Sequence, residues 1–529
     1  MIKYIIDRKG VNMAIVGYGI GAIISGIIYY LMLPAFNFAS FELWAFIGIV
    51  LILFITISTI FGGDEKIGTI VFSSILGVEI VLLLILGVFS TPLLRADSYA
   101  HLIDSNIIHK NISEYSPTID DVPLMDKDTA ELLASRQMGS LVNEISQYDL
   151  GGSTQINYQN KPIRVMPLEY SGPIKWLNNK NVGIPAYITV DMTSQKTEIH
   201  RLEHGIRYSP SGYFGEDLNR HLRFKYPTSM LGTPVFEIDD SGNPYWVVAI
   251  QEHRVGLFGG LDVKGVLIVD AITGDITEYS VDEVPNYIDN VYPSDILIDL
   301  YNYYGMYQGG FWNSIFGQKG VLQVTEGYNY IPQDNDIWLY TGVTSVVRDE
   351  SNVGFVYVNK RTKVFEYYEV AGAEEYSAMA SAEGVVQHLG YTSTFPLLLQ
   401  IEGQPTYCVA LKDAAGLVKM YGLVNMSQYQ IVVTADTMSE CLSKYRTALK
   451  DNGQSVIEVE TTENSGVVED IRTANINGTT YFYIKVDSSP IYYAFSVSDN
   501  EEVVLVDIGE TISFNANEVE GNIVRAVLK

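Results

Sequence analysis

The chain has 529 residues, 47% of them apolar, with 62 acidic side chains against 34 basic ones and a formal charge of −28. That length holds several domains, and the acidic balance excludes a nucleic-acid surface, because phosphate binding needs clustered cations. It equally opposes lying flat on anionic lipid.

Three apolar runs come first: Val11–Leu33, Leu43–Gly62 and Ile67–Leu94. Each meets the roughly 20 residues needed to cross about 30 Å of hydrocarbon, and a cleaved signal peptide would give only one shorter run. Residues 1–94 are therefore expected to form a three-span anchor in lipid. Lys3, Arg8 and Lys9 precede the first run, Lys66 lies between the second and third, and Pro34–Ser40 has no Lys or Arg. The positive-inside rule then puts the N-terminus in the cytoplasm and residues 95–529 outside. Within the anchor, Gly17, Gly21 and Ser25 make a small-residue stripe that lets backbones approach closely, among the spans or in a homo-oligomer. Glu79 falls mid-span, where a carboxylate must be neutral, hydrogen-bonded or paired by another protein.

Residues 95–125 read as a polar stalk. Asp128 is the expected cap of a helix over 129–148. Beyond it, thirty-seven tyrosines in the chain, many alternating with Val, Ile and Thr, favour half-buried sheet. A repeat then emerges. Strands ending in Val190-Asp191, Val269-Asp270 and Val358-Asn359 are each followed by a Thr or Ser and a second alternating strand. Asp191, Asp270 and Asn359 can accept turn amides, and Gly274 supplies a positive φ. A looser fourth hairpin is read around Tyr407–Tyr421. Helical stretches over 129–148, 214–224, 294–304 and 374–389 precede these strands, so the unit is a helix plus about four antiparallel strands. The units are placed at 126–210, 211–290, 291–372 and 373–453.

Helix, strands and the terminal hairpin Val269-Asp-Ala-Ile-Thr-Gly-Asp275 resemble the PepSY domain, with degenerate copies at Val190-Asp191 and Val358-Asn359. The resemblance implies an extracytoplasmic module and, by family association, a link to protease propeptides and inhibition. The stretches Glu383–Tyr391 and Ala410–Tyr421 are also similar to membrane proteins of Gram-positive bacteria. After a helix at 437–450, residues 454–529 read as five short strands with Asn477-Gly478 as a hairpin turn, resembling an OB-fold. Its acidity points to protein contact rather than nucleic acid.

Candidate chemistry is thin. His200-Arg-Leu-Glu-His204 fits H-x-x-E-H, but on a strand its two histidines stand about 13 Å apart, too far for one zinc ion. No nucleophile elbow, P-loop or dinucleotide fingerprint is present, and no cofactor is implied. Gly256-Leu-Phe-Gly-Gly-Leu reads as a turn between strands. The aromatic glycine loop with Tyr307, Phe311 and Trp312 suits packing between repeats, a binding surface or a membrane-facing tip. Cys408 and Cys441 are too few for a disulfide framework, and either two buried thiols or one bridge is open. The expected protein thus has three transmembrane helices, tandem α+β repeats and a small C-terminal β-barrel. Its expected role is a non-enzymatic envelope scaffold, assembly factor or regulator of a partner such as a protease. The alternatives are an exported hydrolase and a ligand or ion sensor.

Overall fold

The computed structural model describes residues 2–61, 67–114, 122–123, 125–140, 146–345, 348–454, 461–476, 479–487, 489–497, 500–517 and 523–528. Lys66 and the turn Asn477-Gly478 lie outside them. Three helices open the chain, α1 (Ile2–Met32), α2 (Phe41–Phe61) and α3 (Ile67–Phe89), and each is long and apolar enough to cross a membrane. Their exposed positions are largely Ile, Leu, Val and Phe, a surface matched to lipid.

The third span is shorter than its apolar run. Ser90 turns its hydroxyl back onto Leu86 O at 2.8 Å, and Pro92 restarts the chain as α4 (Pro92–Ala100). The segment expected as a stalk is instead largely docked. Tyr99 of α4 packs edge-on against Tyr303 at 4.7 Å, and β1 (Ile107–Lys110) pairs in parallel with a strand some 250 residues later.

Four sheets follow, each led by a helix. The first has α5 (Lys127–Met138), β2 (Tyr148–Leu150), β3 (Thr154–Tyr158), β4 (Lys161–Tyr170), α6 (Pro173–Asn179), β5 (Ile184–Asp191) and β6 (Thr197–Ile206). The second has α7 (Leu218–Lys225), β7 (Met230–Leu231), β8 (Val235–Ile238), β9 (Pro244–Val255), β10 (Gly259–Asp270) and β11 (Ile276–Ser280). The third has α8 (Ser294–Tyr307), β12 (Leu322–Val324), β13 (Asn329–Gln333), β14 (Asp336–Ser345), β15 (Arg348–Asn359) and β16 (Phe365–Ala373). The fourth has α9 (Glu375–Val385), β17 (Thr392–Ser393), β18 (Leu397–Ile401), β19 (Gln404–Lys412), β20 (Val418–Asn425) and β21 (Val432–Ala435), with α10 (Met438–Asp451) packed on β20 and β21. In every sheet the first two strands share one edge of the third, and the last three form an antiparallel meander. The unit is therefore a helix plus five strands, because the expected first strand is broken in two.

Helix boundaries moved where caps decided them. Asp126, not Asp128, caps α5 by accepting the Thr129 amide at 3.0 Å, and α5 ends at Met138. Asp217 caps α7 through the Arg220 amide at 2.9 Å, leaving Phe214–Glu216 as a separate 3-10 turn.

Neighbouring units share cores through the period-two alternation of their strands. On β9, Trp246, Val248 and Ile250 join the core of the first unit, while Val247 and Ala249 face α8 and the third sheet. On β15, Val356 and Val358 belong to that same middle core, and Phe355 and Tyr357 join the fourth unit. The two central sheets are thus buried on both faces, which is why their strands read as unbroken apolar runs. The first and fourth units also touch, with Thr129 Oγ1 donating to Gly416 O at 3.0 Å and Lys412 paired with Asp126.

The C-terminal part is β22 (Thr461–Ile476), β23 (Thr479–Val486), β24 (Tyr492–Ser496), β25 (Thr511–Asn517) and β26 (Ile523–Leu528). Pairing runs β22-β23-β24-β26-β25 and closes on β22, with β24 and β26 parallel. Its core of Val468, Ile484, Phe495 and Phe514 is separate from the others.

Candidate functional site

The hairpin turns give the repeats a common register. Asp191, Asp270 and Asn359 each accept the amides two and three residues ahead at 2.8–2.9 Å. Gly274 adopts φ +78 four residues after Asp270. In the fourth unit the equivalent residue is Asn425, which accepts Ser427 N at 3.0 Å and Gln428 N at 2.8 Å. The fourth hairpin read around Asp413 is therefore one strand out of step. After each turn residue, the next amide donates to the start of the third strand: Met192 to Pro162, Ala271 to Pro244, Lys360 to Ile337 and Met426 to Pro405.

With that register fixed, four polar residues stand at positions that are apolar elsewhere. Lys360 occupies the place of Met192, Ala271 and Met426, all buried. Arg164 pairs with Val190 as Trp246, Leu339 and Tyr407 pair with their partners Val269, Val358 and Val424. Gln155, cross-strand from Arg164, is matched by Phe236, Tyr330 and Leu398. Glu237 is matched by Ile156, Ile331 and Leu399. All four are buried, where an unpaired charge is expensive.

They form one network across three units. Glu237 accepts the Asp289 amide at 3.0 Å and the Asn290 amide at 2.9 Å. Asn290 takes a hydrogen bond from Lys360 Nζ on its Oδ1 and donates Nδ2 to Gln155 O at 3.1 Å. Arg164 Nη2 donates to Gln155 Oε1 at 3.3 Å and Nη1 to Ser153 Oγ at 3.2 Å, and Ser153 donates to Glu131 at 2.6 Å. Burial pulls the Lys360 ammonium down to about 8 and the Arg164 guanidinium below its usual value, and raises the carboxyls of Glu237 and Asp289.

This network borders a cleft of about 530 Å³, to which all four units contribute. Arg164 and Gln155 line it from the first unit, Val247 and Ala249 from the second, Tyr328, Tyr330 and Lys360 from the third, and Phe395 from the fourth. Arg164 Nε and Gln155 Nε2 are buried donors without an acceptor among the described residues, each costing about 1–3 kcal/mol. The lining contains neither His nor Cys, so the arrangement offers hydrogen-bond donors and charge rather than an imidazole proton relay. None of these four residues was among the candidates drawn from the sequence. Superposing the repeats on their turn residues is the signal that finds them.

The sequence candidates lie elsewhere. Gly17 and Gly21 sit against Ile57, Phe54 and Phe61 of α2, and Ser25 Oγ donates to Gly21 O of its own helix at 2.8 Å. Glu79 is buried beside Gly48, with neither oxygen hydrogen-bonded among the described residues. Tyr307 packs on Tyr99 and Tyr303 next to the end of α3. Phe311 meets Trp312 edge-on, while Trp312 and Phe316 stack at 5.8 Å and stay largely exposed. His200 and His204 lie on β6, with His200 stacked on Tyr187 and bonded to Thr189 Oγ1 at 2.7 Å. Cys408 and Cys441 are free and buried, and burial pushes the Cys441 thiol up to about 12.

No family model matches the chain, and no curated protein matches it. Among solved structures, the Bombyx mori GH32 beta-fructofuranosidase BmSUC1 aligns at 9% identity and TM-score 0.18, covering 76% of this chain and 70% of that one. A Synechocystis apocarotenoid oxygenase mutant aligns at 10% identity and TM-score 0.17, covering 55% and 65%. Likeness at these scores carries no statement of fold or function.

Proposed function

We propose that this chain is a membrane-anchored extracytoplasmic interaction protein, a scaffold or regulator of an envelope partner such as a protease. The observation that carries this reading is the cleft built jointly by four repeat units. Repeats that pool side chains into one lined opening are organised for recognition, whereas independent spacers need no shared polar network. PepSY-like units are supported by the recurring helix, meander and hydrogen-bonded turn, and an OB-like C-terminal module by the five-strand order with its parallel pair. The extracytoplasmic side follows from Lys3, Arg8 and Lys9 before the first span.

A second reading, ligand sensing, is favoured by β9. This strand lines the cleft with Val247 and Ala249 and ends in a turn whose Leu257 and Phe258 amides bond Ser90 Oγ, just after α3, at 3.0 and 3.1 Å. Occupancy of the cleft therefore has a short route to the third span, along β9 and through the two hydrogen bonds to Ser90.

The test is in-cell photocrosslinking of the full-length chain from Thr233 and Lys127, exposed residues on the cleft lining. Reproducible capture of one identified envelope protein from both positions is the expected result. Crosslinks only to other copies of this chain would replace the reading with self-assembly.

A further inference from the structure

We propose that the cleft binds the carboxylate of a small organic ligand, up to a short peptide with a free C-terminus, at Arg164 and Gln155. The inference rests on the reading of this cleft as the recognition site, and names its ligand class.

Three observations converge. Arg164 and Gln155 are register partners on β4 and β3, and each brings a buried N–H without an acceptor to the same opening. Acceptor oxygens are what both donors need, and a guanidinium matches carboxylate geometry well. Secondly, Arg164 has no ion pair among the described residues, although Glu131 and Asp126 act on its charge. Both acids are already engaged, Asp126 by Lys412 and Glu131 by Ser153 and by Lys127 at 3.7 Å. Lys360 has no ion pair among the described residues either, but its Nζ donates to Asn290 Oδ1, whereas Arg164 keeps an open Nε donor, so Arg164 is the buried cation of the lining with a donor left for a ligand. Thirdly, α8 has Pro293 at its N-cap and so no side-chain cap, and Pro293, Ser294 and Asp295 line the cleft. The positive end of a 14-residue helix dipole therefore borders the same space. Ser294 Oγ lies 2.8 Å from the hydroxyl of Tyr330, another residue of the lining.

The same surroundings oppose a multiply charged group. Asp128 and Asp295 line the opening and are exposed, and the whole chain carries −28. A single carboxylate satisfies Arg164 without added repulsion, and a neutral or cationic far end suits the two aspartates. Tyr328, Tyr330 and Phe395 supply aromatic faces for the body of the ligand. The volume of about 530 Å³ suits molecules of peptide-fragment size.

The test uses full-length protein in nanodiscs, followed by thermal unfolding. Four probes are titrated: a random tripeptide mixture with free C-termini, the same mixture amidated, acetate, and inorganic phosphate. The free-acid mixture is expected to raise the transition saturably, with the amidated mixture about tenfold weaker, as befits loss of one charge-assisted contact. Saturation by acetate at equal potency would assign the site to free small carboxylates rather than peptide termini. Arg164→Gln should erase the preference for acid over amide. Thr233→Trp, at an exposed position on the lining, should weaken binding without touching the core, and it decides the matter if Arg164→Gln does not fold. Phosphate matching the free acid, no shift from any probe, an acid preference surviving Arg164→Gln, or undiminished binding by Thr233→Trp would overturn the proposal. Partner capture from Thr233 alongside no carboxylate effect would leave the interaction reading standing and remove only the carboxylate.

Discussion

Lys360 is the residue at which the repeat pattern and the local chemistry diverge most. Its equivalents Met192, Ala271 and Met426 need no partner, whereas its own ammonium is buried and held at about 8 against an ordinary 10.5. The unfolded chain therefore binds more protons between those values, and the folded chain gains stability as pH rises through that window. The stability of wild type relative to Lys360→Met should rise by up to about 3 kcal/mol from pH 8 to pH 10.5, measured by urea unfolding. A flat difference would mean that the ammonium is solvated. Gly274 makes a second residue-scale prediction. Its φ is +78, and a Cβ there would stand 2.4 Å from the Tyr208 ring. Gly274→Ala should cost about 1–3 kcal/mol, and an unchanged denaturation midpoint would count against it. The turn residues Asp191, Asp270 and Asn359 could be singled out in the sequence because their hydrogen bonds reach only three residues ahead. Asn425 was not, since its turn is one residue longer and Gln428 stands where the other turns carry Ser194, Thr273 and Thr362.

At the scale of elements, the junction between α3 and β9 matters most. Ser90 Oγ accepts two amides from the β9–β10 turn, and Tyr99 O–H donates to Ser90 O at 2.5 Å. Ser90→Ala leaves the Leu257 and Phe258 amides without that acceptor. Hydrogen exchange at these two amides should quicken about tenfold, while amides in β4 keep their protection. Equal protection in both proteins would show that the turn is held by something else. A matching contact stands at the α1–α2 turn, at the same end of the three helices. Arg223 of α7 donates its Nε to Leu33 O at 2.8 Å, and Arg220 lies over the Tyr30 ring at 4.2 Å. The α1–α2 turn and the exit of α3 therefore both meet the second unit. The polar composition of 95–125 suggested a stalk, because only tertiary packing reveals that α4 has the tyrosines of α8 as neighbours.

Over the whole molecule, the apolar cores fall into two classes. Three of them interlock through sheets buried on both faces, so the four units are bound to unfold as one. The C-terminal strand ring keeps its own core. Calorimetry of the full chain should resolve a separate transition for it. Truncation after residue 454 should remove that transition and move the main one by no more than about 2 °C. A large shift of the main transition would reveal an interface between the two. The first three helices add a third level, for each is long and apolar enough to cross a membrane and their outward faces are apolar.

The sequence by itself determined the three apolar spans and the β-rich remainder. Both are sums over neighbouring residues: twenty or so apolar side chains in a row, or alternation along one strand, need no distant partner to be recognised. Only the tertiary structure decided the site. Gln155, Arg164 and Glu237 lie on strands of two units and Lys360 in the turn after β15 of a third, and each looks locally like an ordinary surface residue. Strand register turned their side chains inward, and the shared cores brought the strands together. A polar residue betrays its role only once its burial is known, because burial is what makes an unanswered charge or donor costly.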